Sequence, residues 1–315
     1  MRIGVIGLGA IGGVVAARLS QRWDWTHDRL WLAAGRRAEA LRDRGLSVDG
    51  AAPLRPRVFE TLPSGSYDFI LLCTRTSDSE SALAPALPFL AADGAVVCLQ
   101  NGLPEARAVR LAGPHRVLGA VIGWSATMRA PGDYAVTGKG KFVLGGLGAR
   151  RREAAQILGS VFPVRETDNL EGARFSKLAI NCAMSTIGAV SGFSLGEWTA
   201  LKDARNLALR IVREVVDEGT ARGVRFEAVS GLRPDWLVRA PAWVADAAIE
   251  LSALRRPEQR TGMIELLQSG RHAGIEDLNG LIPRPLNQRL VEMVRQIERG
   301  ERRISPENLV ELSAR

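Results

Sequence analysis

The chain has 315 residues, 46% of them hydrophobic, and a net charge of +8. These proportions suit about two packed domains and exclude an intrinsically disordered chain. The positive residues are scattered and lack interleaved aromatics, so the charge calls for no nucleic-acid partner, and no run approaches the ~18 apolar residues of a membrane span.

At the N-terminus, Ile3, Val5 and Ile6 predict a buried strand that runs into Gly7-Leu8-Gly9-Ala10-Ile11-Gly12 and then into an alanine- and valine-rich helix. This is a dinucleotide-binding fingerprint in its strand-to-helix setting. Gly7 permits the tight turn, Gly9 lets the backbone approach a pyrophosphate, and Gly12 allows the helix to pack closely on the strand. The phosphates are then met by the unpaired N–H groups and positive dipole end of the helix. A secretory signal peptide is the competing reading of Met1-Arg2 followed by small and apolar residues. The glycines oppose it, as do Arg18, Gln21 and Arg22, which continue an amphipathic helix.

The second strand, near 29–33, ends in Ala34-Gly35-Arg36-Arg37, where a carboxylate would hold the ribose of NAD. None is present. A guanidinium matches a phosphate bidentately, so Arg36, with Arg37 as second choice, argues for NADPH. The competing reading makes both arginines solvated residues at the start of a helix over 36–43. Beyond an irregular stretch with short strands over 46–60, the apolar run 69–73 predicts a buried strand, a helix follows over 79–90, and 95–99 is another strand. Buried strands alternating with helices imply a parallel, doubly wound sheet. The segment 116–146 is β-rich, with turns at Pro131-Gly132-Asp133 and Gly138-Lys139-Gly140, and from about Asp168 the pattern is helical. The expected fold is therefore α/β: an N-terminal Rossmann domain over 1–167 and an all-helical substrate or dimerisation domain over 168–315. Cys73, Cys98 and Cys182 are odd in number and show no C-x-x-C spacing, which points to reduced thiols in a cytoplasm.

Two strand ends carry Cys73-Thr74-Arg75 and Leu99-Gln100-Asn101-Gly102, and a helical stretch carries Phe175-Ser176-Lys177-Leu178-Ala179-Ile180-Asn181-Cys182. In this order, behind the fingerprint, they resemble the ketopantoate reductase family over nearly the whole chain. The resemblance implies an active site in the cleft between the two domains. It also implies NADPH-dependent reduction of a 2-oxo acid to a 2-hydroxy acid, with ketopantoate to pantoate, a step of pantothenate biosynthesis, as first candidate. It gives the cofactor to Gly7, Leu8, Gly9, Ala10, Ile11, Gly12, Arg36, Thr74, Arg75 and Asn101. Catalysis falls to Lys177, Asn101 and Asn181, and substrate binding to Asn181 and Ser185. Arg75 stands where the family commonly has a lysine, and many members dimerise.

The chemistry points to the same lysine. Hydride addition to a ketone leaves negative charge on oxygen, which a positioned acid must meet. Of 42 Lys plus Arg, only Lys139, Lys141, Lys177 and Lys202 are lysines, and an amine, unlike a guanidinium, gives up a proton near neutral pH when buried. Asn181 and Ser185 follow Lys177 at intervals of four, on one helix face. Three further positions depart from the family. Ser185 replaces a second asparagine, while Gly262 and Gly274 replace a serine and a glutamate that contact substrate, with Glu276 or Glu265 as stand-ins. These departures keep two other readings open: a specialised NADPH-dependent ketone or imine reductase, and a non-catalytic NADPH-binding regulatory protein. His272 is a weaker proton donor, His27 and His115 have no partners in view, and no spacing suggests a metal. Trp236 and Trp243 are read as core or subunit-contact residues.

Overall fold

The computed structural model describes residues 1–22, 29–254 and 256–314; His27 lies outside the described residues. The chain divides into two compact units, Met1–Leu170 and Glu171–Arg315. The division falls three residues beyond the expected 167/168 because Leu170 packs on the sheet of the first unit. Its Cβ and Cδ2 lie 2.9 and 2.8 Å from where a Cβ on Gly145 or Gly119 would stand.

The first unit begins β1 (Ile3–Ile6), α1 (Ala10–Arg22), β2 (Leu30–Ala33), a 3-10 turn Gly35–Arg37, α2 (Ala38–Arg44), β3 (Ser47–Val48), β4 (Val58–Phe59) and β5 (Tyr67–Leu72). It continues with α3 (Ser79–Leu83), β6 (Leu90–Cys98), α4 (Glu105–Ala112), β7 (Val117–Ile122), β8 (Ser125–Ala130), β9 (Asp133–Gly138), β10 (Phe142–Gly145), α5 (Arg151–Gly159) and β11 (Val164–Glu166). Among the described residues, eight strands form one sheet in the order β11-β10-β7-β6-β5-β1-β2-β4, parallel throughout except where β10 runs against β7. β1 lies between β5 and β2 and is wholly buried, as are β2 and β7, which is why these strands read as continuous apolar runs. Alternate residues feed two cores: Val5, Leu71 and Val97 join Val14, Val15 and Leu19 of α1 on one face, while Ile6, Leu72 and Val96 pack on the other.

The expected helix over 79–90 is cut short. Pro85 and Pro88 cannot donate to a helical ladder, so α3 stops at Leu83, 3-10 turns fill 84–89, and β6 starts at Leu90 rather than 95. The second sheet, β3-β9-β8, packs against α1.

The second unit is helical: α6 (Leu170–Ser191), α7 (Leu195–Ala200), α8 (Lys202–Ala221), α9 (Pro234–Leu237), α10 (Ala242–Ala253), α11 (Gly262–Gln268), α12 (Pro285–Glu298) and α13 (Glu307–Ser313). Its core includes a buried polar network. Thr186 of α6 donates to Asn279, whose amide donates to the Cys182 carbonyl and to Asn287, and Asn287 donates in turn to Glu214 of α8. Glu214 also accepts the backbone N–H groups of Leu286 and Asn287, capping α12 from a neighbouring helix. Among the described residues no helix is long and apolar enough to cross a membrane.

Candidate active site

The turn after β1 shows why its glycines are needed. Gly7 has φ +93°, a left-handed conformation that favours glycine, and a Cβ there would stand 2.7 Å from the Thr74 nitrogen. A Cβ on Gly12 would lie 1.9 Å from the Gly7 carbonyl oxygen, so α1 can start flush against the turn only without one. Gly9 is different: its nearest neighbour would be Arg37 Nη1 at 4.0 Å, which leaves bare backbone facing open space. A tight turn, a close helix start and an uncovered glycine make a cradle that fits the pyrophosphate of a dinucleotide.

Arg36 is exposed, whereas Arg37 is half-buried and turned inward, its Nη1 donating to the Leu8 carbonyl at 3.4 Å. The geometry thus puts the second-choice arginine, not the first, beside the cradle. At the ends of β5 and β6 the loops are sewn together. Thr76 donates to the Asn101 carbonyl at 2.7 Å, Arg107 donates to the Thr76 carbonyl at 2.6 Å, and the buried Gln100 amide donates to Ser79 Oγ at 2.8 Å and Thr74 Oγ1 at 3.3 Å. Thr74 thereby sits against Gly7, and Asn101 is exposed on a fixed backbone. Thr76, Arg107 and the tethering role of Gln100 have no sequence signal beyond nearness to strand ends. Arg75 is exposed and paired with Asp78, Nε to Oδ2 at 3.1 Å.

In the second unit, Lys177, Asn181 and Ser185 form a half-buried row along α6, while Leu178, Cys182 and Thr186 beside them are buried. Burial, and secondarily the charge of Arg256, pull the Lys177 amine down to about 8. The Ser185 carbonyl accepts from Thr261 Oγ1 at 3.3 Å, next to Gly262 at the start of α11, where a Cβ would meet nothing within 4 Å. Gly274 has φ +74°, so its loop as folded calls for glycine. Glu276 is committed to Arg295 at 3.0 Å and His272 at 3.1 Å, and His272 to Glu298 at 3.0 Å. His115 is exposed. The core reading of the two tryptophans fails: Trp236 is 63% exposed and Trp243 76%, because they lie on the outer sides of their short helices. Among the described residues no His, Cys, Asp and Glu group is placed to hold a metal.

Two family models match this chain: the one described as Ketopantoate reductase PanE/ApbA over residues 3–148, and the one described as Ketopantoate reductase PanE/ApbA C terminal over residues 169–298. A 2-dehydropantoate 2-reductase of Pyrococcus horikoshii is 29% identical over 239 residues, covering 72% of this chain and 76% of the relative. The crystal structure of a PanE/ApbA family ketopantoate reductase from Ralstonia eutropha JMP134 superposes with a TM-score of 0.80 at 25% identity, over 96% of this chain and 99% of that one. The ternary structure of a D-mandelate dehydrogenase with NADH and anilino(oxo)acetate has the same fold, with a TM-score of 0.82 at 20% identity over 95% and 99% of the two chains.

Proposed function

The chain belongs to the ketopantoate reductase PanE/ApbA family, whose members are oxidoreductases acting on a CH–OH group, and we propose that it reduces a 2-oxo acid to the 2-hydroxy acid with NADPH, ketopantoate being the first candidate. The observation that carries this reading is the Lys177–Asn181–Ser185 row along one face of α6, where burial pulls the lysine amine down to about 8.

A nicotinamide dinucleotide whose pyrophosphate is held by Gly7 to Gly12 would supply the hydride for the carbonyl carbon. Lys177 gives the carbonyl oxygen its proton and recovers one from solvent. An acid titrating at about 8 is charged at neutral pH yet close enough to it to release the proton. Asn181 and Ser185, on the same helix face, orient the substrate oxygens by hydrogen bonding, and the family resemblance assigns Asn101 to the same reaction. Gly7 to Gly12 take the pyrophosphate, with Thr74 closing the turn. The 2′-phosphate falls to Arg37, with Arg36 beside it. Arg75 faces Asp78 through Nε and Nη2, which leaves its Nη1 for the cofactor.

Gly262 and Gly274 favour a second reading, a specialised reductase for another ketone or an imine. Both positions offer backbone where the family offers side chains, and the same fold carries a D-mandelate dehydrogenase. Mixing the purified protein with NADPH or NADH and a panel of 2-oxo acids, while following nicotinamide absorbance, separates the readings. Turnover of ketopantoate supports the first, and turnover of other carbonyls alone supports the second. Binding without turnover of any carbonyl would leave a regulatory dinucleotide-binding protein and sink both. A homodimer is proposed as well, on the exposed Trp243, Leu251 and Leu254 of α10 and the residue after it, and sedimentation of the purified chain tests it.

A further inference from the structure

The small sheet lays one side chain over the start of α1. Tyr134 of β9 is fully buried, and its ring fills the space that a Cβ on Gly13 would need, 2.1 Å from Cε1 and Cζ. Its hydroxyl donates to the Leu8 carbonyl at 3.1 Å, inside the fingerprint turn and 126 residues away in sequence. The strand that carries it is pinned on both sides. Asp49 donates its backbone N–H to the Tyr134 carbonyl at 2.9 Å and accepts the Val136 N–H on its carboxylate at 2.8 Å, while β8 pairs along the other edge.

The consequence follows from the peptide group. Among the described residues all peptide bonds are trans, and in a planar trans peptide the C=O and the next N–H point in opposite directions. Turning the Leu8 carbonyl toward Tyr134 therefore fixes the Gly9 N–H away from it, at the glycine whose face is uncovered. Burial also raises the phenol to about 12, so the hydroxyl remains a donor at any working pH.

We propose that Tyr134 is a positioning residue for the pyrophosphate of the dinucleotide, holding the Leu8 carbonyl so that the Gly9 amide is set in advance as a phosphate donor. This rests on the reading of the fingerprint as a nicotinamide dinucleotide site. Tyr134→Phe keeps the ring against Gly13 and removes only the hydroxyl. Fluorescence titration of the variant should show affinity for NADPH reduced about three- to tenfold, the worth of one hydrogen bond. Affinity for adenosine 2′-monophosphate, which lacks the pyrophosphate, should be unchanged, and kcat should be held while KM for NADPH rises. A purely structural role would weaken both ligands alike. NADPH affinity within twofold of wild type, or equal losses for the two ligands, overturns the proposal. Absence of NADPH and NADH binding by the wild-type chain overturns the dinucleotide reading itself. If Tyr134→Phe does not fold, Asp49→Ala loosens the same strand from an exposed position and must show the same split to a smaller extent; equal losses there overturn the proposal too.

Discussion

At the scale of single residues, Lys177 carries a cost in stability, and the proposed reaction gives that cost a use. Its amine is held near 8 in the fold against an ordinary 10.5, so from about pH 8 to 10.5 the unfolded chain binds the extra proton and stability rises with pH. Below pH 8 both states are protonated and the full cost of the buried charge is present. Lys177→Met should therefore raise the melting temperature at pH 7, by the equivalent of about 1–2 kcal/mol once its partial exposure is allowed for, with the gain fading toward pH 10.5. The same variant should lose turnover by about 10²- to 10⁴-fold, as expected for a general acid, with NADPH affinity held. In the wild type, kcat should fall as pH passes about 8 and the proton donor is lost; a flat profile to pH 10 would remove Lys177 from the proton transfer. Arg37→Ala should weaken NADPH about tenfold more than it weakens NADH, the difference being one charge-assisted contact; a smaller loss shared by both cofactors is expected because Arg37 Nη1 also donates to the Leu8 carbonyl. If Arg36→Ala shows that discrimination instead, the outer arginine reads the phosphate.

At the scale of elements, Gly13 sets two opposing effects against each other. Glycine inside a helix normally costs about 1 kcal/mol relative to alanine, so Gly13→Ala should stabilise α1 if propensity decided. The added methyl would instead sit 2.1 Å from the Tyr134 ring, and overpacking of that kind costs about 1–3 kcal/mol. The clash wins, and urea unfolding should show a net loss of stability. At α7, Ser194 and Glu197 close a capping box, each satisfying the other's backbone N–H, so Ser194→Ala should cost about 1 kcal/mol. Much of this level is legible in sequence. The spacing Gly7, Gly9, Gly12, the apolar runs and the turns at Pro131 and Gly138 mark their elements directly. Where the reading of 79–90 as one helix fails, the signal was present in Pro85 and Pro88 but lost to the apolar periodicity around them.

At the scale of the whole molecule, the dinucleotide cradle lies within Met1–Leu170, so ligand should stabilise that unit first. NADPH at 100 times its Kd should add about 2.7 kcal/mol to the unfolding free energy of the state that binds it, seen in calorimetry as an upward shift of the corresponding transition. A thermogram unchanged by NADPH would show that the cradle does not bind it. The polar network of Thr186, Asn279, Asn287 and Glu214 plays the matching part in the second unit: it ties α6, which carries Lys177, to α8 and α12.

The amino-acid sequence alone determined the α/β class, the fingerprint turn and the lysine-bearing helix, because each is encoded by neighbours within a few turns of chain: glycine where a Cβ cannot fit, period two or period 3.6 in the apolar residues, a lone amine among arginines. Tertiary structure decided which arginine faces the cradle, that Gln100 and Thr76 join two strand ends, that Trp236 and Trp243 stand outward, and that Tyr134 reaches Leu8. Those outcomes depend on how distant segments pack, and packing is a property of the assembled surfaces that local periodicity does not carry.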